Sequence, residues 1–392
     1  MLRYFFLIAF VSLCLGYAKE EKFQLSQYVY ESIAKVQELM DSEKNGEAKS
    51  LLEKLTGASD VRSKLDKAYV RFYLGYFYMS EEHYQDALRY FGEALSYEAL
   101  PQQQVKSIYF NMMQLYLLQE KNKEALSSLQ KLLKLEQKAE YYIYEAQILL
   151  SLEEFKGVVA SIKKARTLQK PKSEWLQMQF YAHYMLQNYR EARGVLQELI
   201  SMKPYEKEYW MQLASLYALE ENSKKTLASF EGAFIAKLDL SEKEILELVS
   251  LLRSETLPFH AASILEDSLN SKRVQESQKT LKLLAQLYFE AKNYKKSLQW
   301  FHKLAKKEPS VVIDFKIARI YLLEYKYKEA AEALERSLEK PSEKYLRERY
   351  ELLGKTYFEL EDHAKAKEIF RKLLSFPEAK KTAQAWLSYL GG

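Results

Sequence analysis

One pattern of small and aromatic residues recurs along this chain about every 34 residues, and it restricts the fold more than any other feature. Its clearest copy consists of Leu74, Gly75, Tyr78, Ala87, Phe91, Ala94 and Pro101. The first three residues lie on one face of a helix, and the next three, spaced i, i+4 and i+7, lie on one face of a second helix. Such a helix pair cannot bury its apolar face alone, so it stacks on copies of itself. The sequence therefore predicts an all-α array of helix-turn-helix repeats.

Ten copies of the pattern can be aligned. Their first helices are predicted to start near residues 29, 68, 106, 139, 173, 207, 242, 278, 311 and 347. The intervals between successive starts scatter about the 34-residue period of tetratricopeptide repeats (TPRs). The second helices repeat a set spaced i, i+4 and i+7 at matching positions, for example Ala125, Leu129 and Leu132. We therefore expect an α-solenoid, or superhelix, of about ten TPR-like repeats.

The prolines support this register. Six of them fall between one repeat and the next: Pro101, Pro171, Pro204, Pro309, Pro341 and Pro377. Pro258 falls in a turn within a repeat, so none interrupts a predicted helix, where it would cost about 3 kcal/mol. A final helix from Glu378 to Leu390 carries an apolar stripe that includes Ala383 and Trp386. We expect a degenerate repeat over 19–67, the TPR array over 68–377 and a capping helix over 378–392.

The first 18 residues have the composition of a secretory signal peptide. Arg3 precedes an apolar run from Tyr4 to Leu15, and Ala18 is a small residue at a potential cleavage site. The run is too short to span a bilayer comfortably, since about 20 residues are needed. We therefore predict a cleaved, exported, periplasmic protein. The alternative is an N-terminal membrane anchor. Cleavage would remove Cys14, the only cysteine, and the residues before Cys14 form a poor lipidation signal.

The sequence contains no recognisable catalytic constellation. The five histidines, His83, His183, His260, His302 and His363, are scattered over five repeats without the spacing of a metal site. No glycine-rich nucleotide loop or nucleophile motif is present. The 59 basic and 54 acidic residues alternate along the chain, which is typical of solvated helix faces and not of a nucleic-acid or membrane patch. We expect a non-enzyme with no cofactor, metal, nucleic acid or small-molecule substrate, and with membrane contact only through partners.

The first helices of a TPR array line a concave groove, and certain offsets of each repeat face it. Those offsets predict a set of partner-binding residues in the N-terminal half: Phe72, Tyr76, Met79, Phe110, Asn111, Gln114, Ile143, Tyr144, Gln147, Gln177 and Tyr181. Aromatic rings mixed with amides suit an extended peptide. The corresponding set in the C-terminal half is Lys279, Lys282, Gln286, Phe315, Lys316, Arg319 and Lys355. This second set favours an acidic ligand. The alternative is that many of these residues pack against neighbouring helices.

Three stretches carry a further resemblance: 204–217, 258–265 and 382–390. They contain Tyr209-Trp210 with Gln212, then Ala261-Ala262, then Trp386-Leu387 with Tyr389. The chain resembles exported TPR proteins of Gram-negative bacteria that are encoded beside TonB, ExbB and ExbD. The likeness spans most of 173–390. It implies a non-catalytic periplasmic scaffold that assists energised uptake across the outer membrane, with TonB/ExbB/ExbD-type partners. The alternative is an adaptor for another envelope assembly, such as secretion, pilus or cell-wall machinery. In either case Trp210 stands at an interior offset, and we expect it in the core.

Overall fold

The computed structural model describes residues 24–339 and 342–391, and these residues form helices and connections without any strand. Twenty of the α-helices occur as ten consecutive pairs. The first five pairs are α1 Gln27–Asp41 and α2 Asn45–Gly57, α3 Lys64–Ser80 and α4 Tyr84–Ser96, α5 Gln102–Leu118 and α6 Asn122–Leu135, α7 Ala139–Ser151 and α8 Phe155–Leu168, and α9 Ser173–Met185 and α10 Tyr189–Met202. The next five are α11 Lys207–Leu219 and α12 Ser223–Ile235, α13 Glu242–Ser254 and α14 Pro258–Asn270, α15 Gln278–Glu290 and α16 Tyr294–Lys307, α17 Val311–Leu323 and α18 Tyr327–Leu338, and α19 Leu346–Glu359 and α20 His363–Leu373. A 3-10 helix, Pro377–Ala379, and α21, Lys380–Tyr389, follow.

This architecture confirms the predicted all-α fold. Seven of the ten first helices start within one residue of the predicted position, and α1, α3 and α5 start two to four residues earlier. Pro258 is the first residue of α14, a position where its missing N–H costs nothing. Within each unit, consecutive helices pack as in TPR solenoids. None of the described helices combines the length and apolarity needed to cross a lipid bilayer. The proposed signal peptide lies outside the described residues.

The turn within each pair has one geometry. In all ten pairs it is three residues long, and its second residue has a positive φ of 55° to 61° although it is not glycine. These left-handed residues are Glu43, Glu82, Glu120, Glu153, Gln187, Glu221, Thr256, Lys292, Tyr325 and Glu361. The third residue of each turn donates its N–H to the carbonyl five residues earlier, as His83 does to Tyr78 at 2.8 Å. This is the Schellman arrangement, which satisfies carbonyls at the end of the first helix.

The connections between pairs vary in length, whereas the turns within pairs do not. The shortest are three residues long, as at 136–138, and the connection at 271–277 is seven residues long. The first helices α3 and α5 are also longer, at 17 residues each, whereas several later first helices have 13. These two differences account for the uneven repeat spacing in the sequence.

The chain divides into two compact units, one ending at Leu199 and the other beginning at Ile200. In the N-terminal unit, buried residues form three successive clusters, over α1–α3, α3–α5 and α5–α9. The predicted second-helix anchors are buried, and Ala87, Phe91 and Ala94 are fully so. Because burying a large apolar side chain contributes about 1.5–3 kcal/mol, each repeat depends on the neighbours that complete its cluster.

In the C-terminal unit one continuous cluster runs from Ala214 to Ala383. The capping helix closes it as predicted, because Ala379 and Ala383 are buried and Trp386, Leu387 and Leu390 pack against the cluster. The Trp386 ring stacks on Phe370 with their centroids 5.1 Å apart.

Two polar contacts tie neighbouring pairs of the C-terminal unit together. The Glu266 carboxylate on α14 accepts hydrogen bonds from the Tyr288 hydroxyl, from Lys296 Nζ at 2.5 Å and from Trp300 Nε1 at 3.2 Å. Burial tends to raise the pKa of Glu266, but the bonds from Lys296 and Tyr288 outweigh it and lower that pKa below its usual range. Arg349, which is completely buried, donates to the carbonyls of Ser337 and Ser342.

Candidate functional site

The predicted groove residues of α3 are largely engaged in packing. Phe72 is buried, and the half-buried Tyr76 lies edge-on to it with ring centroids 4.7 Å apart. Tyr76 also contacts Phe91 of α4 at 5.4 Å. Met79, one turn further along, is half-buried. Phe72 therefore packs beneath this face, whereas Tyr76 and Met79 are partly exposed to solvent.

The predicted aromatic residues of α5 and α7 come together. Phe110 and Tyr144 are half-buried, and their ring centroids lie 5.9 Å apart. Burial raises the pKa of the Tyr144 phenol, and its hydroxyl donates to Glu140 Oε1 at 3.2 Å. Two neighbouring first helices thus present one aromatic surface.

The amides beside this surface differ in accessibility. Gln147 is exposed and Gln114 is half-buried, whereas Asn111 and the apolar Ile143 are buried. Gln147 and Gln114 are therefore the amides that can pair with a peptide backbone from this face.

On α9, Tyr181 is 47% exposed, and its ring lies 6.0 Å from that of Phe155. Gln177 on the same helix is also exposed. We name the residues Phe110, Tyr144 and Tyr181 the aromatic face of the N-terminal unit. The amide and aromatic character predicted for this part of the chain is present at these three first helices.

A set of exposed apolar side chains at the ends of first helices lies outside the predicted groove residues. Each is the last residue of its helix and is about half exposed: Leu118, Met185, Leu219 and Leu323. All four stand at the last of the offsets that face a TPR groove. The repeat offsets alone point to these four positions, although the predicted set omits them.

The basic residues predicted in the C-terminal half do not all remain free. Lys355 pairs with Glu351, with 2.6 Å between Nζ and Oε1. Phe315 is buried and stacks on Tyr345, with centroids 5.3 Å apart. Lys279 and Lys282 on α15 are exposed, and Gln286 is half-buried.

Lys316 on α17 stands in a positively charged environment. It is half-buried, and its Nζ lies 5.6 Å from the centroid of the Phe301 ring. Burial lowers the pKa of the Lys316 ammonium, and neighbouring positive charges lower it further. Those charges belong to Lys282, Arg319 and Lys344. Lys344 lies in the connection before α19, outside the repeat offsets, so sequence reasoning could not place it here.

Lys316, Arg319 and Phe301 border a small cavity of about 160 Å³ within the C-terminal unit. Its polar lining includes Lys316 and Arg319 from α17 and Gln286 from α15. Its apolar lining includes Phe289 and Phe301. Small-molecule sites usually measure about 300–1,000 Å³, so a cavity of this size suits a single side chain.

The tryptophans that carry the family resemblance are packing residues. Trp210 lies against Gly232, where an added Cβ would come within 2.2 Å of the indole. The Trp210 Nε1 donates to the Pro204 carbonyl at 2.9 Å. The Trp210 ring packs against the C-terminal cluster but is only partly buried. Gln212, in contrast, is exposed.

The tetratricopeptide-repeat family model matches residues 351–379. A search of curated proteins found no match. A TPR protein from Parabacteroides merdae is 17% identical, covers 65% of this chain and 99% of its own, and has a TM-score of 0.30. YrrB, described as a TPR protein with an unusual peptide-binding site, is 17% identical over 47% of this chain and 91% of its own, with a TM-score of 0.37. The APC/C hetero-tetramer Cut9–Hcn1 is 14% identical over 91% of this chain and 82% of its own, with a TM-score of 0.29.

The match to the TPR model covers the last helix pair and the start of the cap, α19 to the 3-10 helix. The other nine pairs repeat the same turn geometry and the same buried anchors. The chain is therefore an all-α array of TPR-like helix pairs, a fold that generally serves as a non-catalytic protein-binding scaffold.

Proposed function

We propose that this chain is an exported protein-binding scaffold that assists a TonB-ExbB-ExbD-type complex in energised uptake across the outer membrane. The observation that supports protein binding is the aromatic face, where Phe110 and Tyr144 from adjacent first helices contact each other and Tyr181 remains 47% exposed. Aromatic rings with a few accessible amides favour an extended peptide, because the rings contribute buried area and the amides pair with its backbone. The periplasmic setting and the TonB-type partner rest on the composition of residues 1–18 and on the resemblance at 204–217, 258–265 and 382–390.

The first experiment is a crosslinked pull-down from envelope fractions, read by mass spectrometry, with the mature chain as bait. Recovery of TonB, ExbB or ExbD homologues supports the proposal. Recovery of secretion, pilus or cell-wall components instead assigns the scaffold to another envelope assembly. A mature protein that retains residues 1–18 in the cytoplasmic fraction contradicts export.

Variants of the aromatic face then test where the partner binds. Phe110→Ala combined with Tyr181→Ala removes aromatic area without touching the buried Phe72. We expect recovery of the partner to fall at least tenfold while the helical circular dichroism spectrum persists. Phe259→Ala is the matched control, because Phe259 is 58% exposed but lies on a second helix, α14. Equal recovery by both variants would mean that the partner binds elsewhere.

A further inference from the structure

The small cavity of the C-terminal unit carries an excess of positive charge. Arg253 and Glu290 on its border neutralise each other, with 2.9 Å between Arg253 Nε and Glu290 Oε2 and a second bond from Arg253 Nη2. That pair leaves Lys316 and Arg319 as the remaining charged residues of the lining. Within 24–339 and 342–391, no carboxylate forms an ion pair with either of them.

Two further cations reinforce this charge. Lys282 on α15 and Lys344 before α19 both act on Lys316, and neither has an ion-pair partner among the described residues. Elsewhere in this unit lysines do form ion pairs, as Lys303 and Lys307 both do with Glu276. Within the described part of the chain, Lys316 and Arg319 line the cavity without a paired anion, and Lys282 and Lys344 add positive charge around Lys316. An incoming anion relieves the repulsion between Lys316 and these cations.

The shape of the cavity narrows the choice of anion. Its volume of about 160 Å³ accepts one side chain, and Phe289 and Phe301 give it an apolar wall beside the cations. A carboxylate on a short apolar stem matches both features, because the stem contacts the rings while the oxygens meet Lys316 and Arg319. Apart from Phe301 on α16, the cavity is lined by the first helices α13, α15 and α17, and first helices form the face on which a TPR array receives an extended segment.

We propose that this cationic cavity binds a glutamate or aspartate side chain of an extended acidic segment in the partner protein. The inference rests on the proposed function, because it assigns one anchor point for the partner of the scaffold. The aromatic face belongs to the N-terminal unit, so the acidic anchor is a second and separate determinant of recognition.

The test uses the full mature chain and two capped peptides. One peptide contains glutamate, leucine and serine, and the other has glutamine in place of every glutamate. Isothermal titration calorimetry should detect binding of the acidic peptide at low salt and at least tenfold weaker binding of the glutamine peptide. Lys316→Gln and Arg319→Gln should each weaken the acidic peptide roughly tenfold or more, since each removes a charge-assisted hydrogen bond. Binding to the unaltered chain should also weaken with added salt.

Lys295→Gln is the matched control, because Lys295 is an exposed lysine on the second helix α16 and does not line the cavity. It should leave the affinity within twofold. If Lys316→Gln lowers the melting temperature, Arg319→Gln and Lys282→Gln decide the matter, because both side chains are exposed in the folded chain. Failure of the unaltered chain to bind the acidic peptide, or equal binding by the Arg319 variant, overturns the inference.

The two proposals fail in different ways. If the pull-down recovers the same partner with Lys316→Gln/Arg319→Gln as with the unaltered chain, the scaffold function stands and the acidic anchor falls. If the pull-down recovers no partner at all, the scaffold function falls, and the peptide titration still decides whether the cavity binds carboxylates.

Discussion

Gly75 and Gly92 belong to the same helix pair, and replacement by alanine is expected to have opposite effects at the two positions. A Cβ at Gly75 on α3 would lie 2.5 Å from Cδ1 and 2.6 Å from Cε1 of Phe91, distances that side chains do not tolerate. A Cβ at Gly92 on α4 would have no atom within 4 Å. Both glycines lie in helix interiors, where alanine is favoured by about 1 kcal/mol. The two alanine variants therefore differ only in whether the added methyl group has room.

Packing around Phe91 decides the magnitude at Gly75. The Phe91 side chain is completely buried, and the Tyr76 ring lies against it at 5.4 Å, so the ring has little space to retreat. Overpacking of this kind costs about 1–3 kcal/mol. Gly92→Ala should therefore stabilise the pair by about 0.5–1 kcal/mol, and Gly75→Ala should lie about 1–3 kcal/mol below it.

A repeat array can unfold piecewise, so the assay must report on this pair alone. Amide hydrogen exchange of α3 and α4, read by mass spectrometry, measures the local opening free energy. The double variant Gly75→Ala/Phe91→Leu provides the internal control. Leucine is narrower than phenylalanine, so the double variant should recover part of the exchange protection lost in Gly75→Ala. The two substitutions should therefore show a favourable coupling energy. Equal exchange protection in Gly75→Ala and Gly92→Ala would refute the packing argument.

Three further substitutions test the turns and the polar contacts. Glu120→Gly should stabilise the α5–α6 turn by about 1 kcal/mol because glycine adopts φ = 58° without strain, whereas Glu124→Gly inside α6 should destabilise it by a similar amount in thermal denaturation. Glu266→Gln should cost about 1–3 kcal/mol at pH 7. Because the folded-state pKa of Glu266 is lowered, this stability is present above pH ~4.5 and is lost as the pH falls further, so acid titration of the variant should be flatter there. Arg349→Leu should cost about 2–5 kcal/mol, since it removes the donor from the buried Ser337 carbonyl and from the partly buried Ser342 carbonyl, and exchange of α18 and α19 should accelerate while that of α3 does not change.

The helix pairs were predictable because the same information is repeated ten times. A weak signal at one pair, such as the one that begins with α1, is corrected by its neighbours. The ends of the first helices were less predictable. Glycine is the usual signal at a left-handed helix end, and Glu120, Lys292 and Tyr325 stand there instead. These three side chains are exposed, and the repeated hydrogen bond from the third turn residue to the carbonyl five residues earlier closes the turn around them.

The candidate site was only partly predictable, because an offset fixes a direction and not what lies in that direction. The offset rule placed Phe110, Tyr144 and Lys316 on first-helix faces. It could not show that Tyr345 stacks on Phe315, or that Lys344 adds its charge to Lys316. Both of those residues lie in the connection before α19, a segment whose length varies from repeat to repeat. The division of the chain near Leu199 also left no mark in composition or spacing.

The contrast between uniform turns and variable connections defines the units in which this protein can be lengthened or shortened. A residue added inside a three-residue turn would rotate the second helix and break the hydrogen bond to the carbonyl five residues earlier. The same residue added to the connection at 271–277 would disturb no repeated bond. Whole hairpins, cut at these connections, are therefore the exchangeable modules of the chain. Grafting a hairpin between related arrays would transfer its first-helix face as one module, as long as its new neighbours complete the same buried cluster.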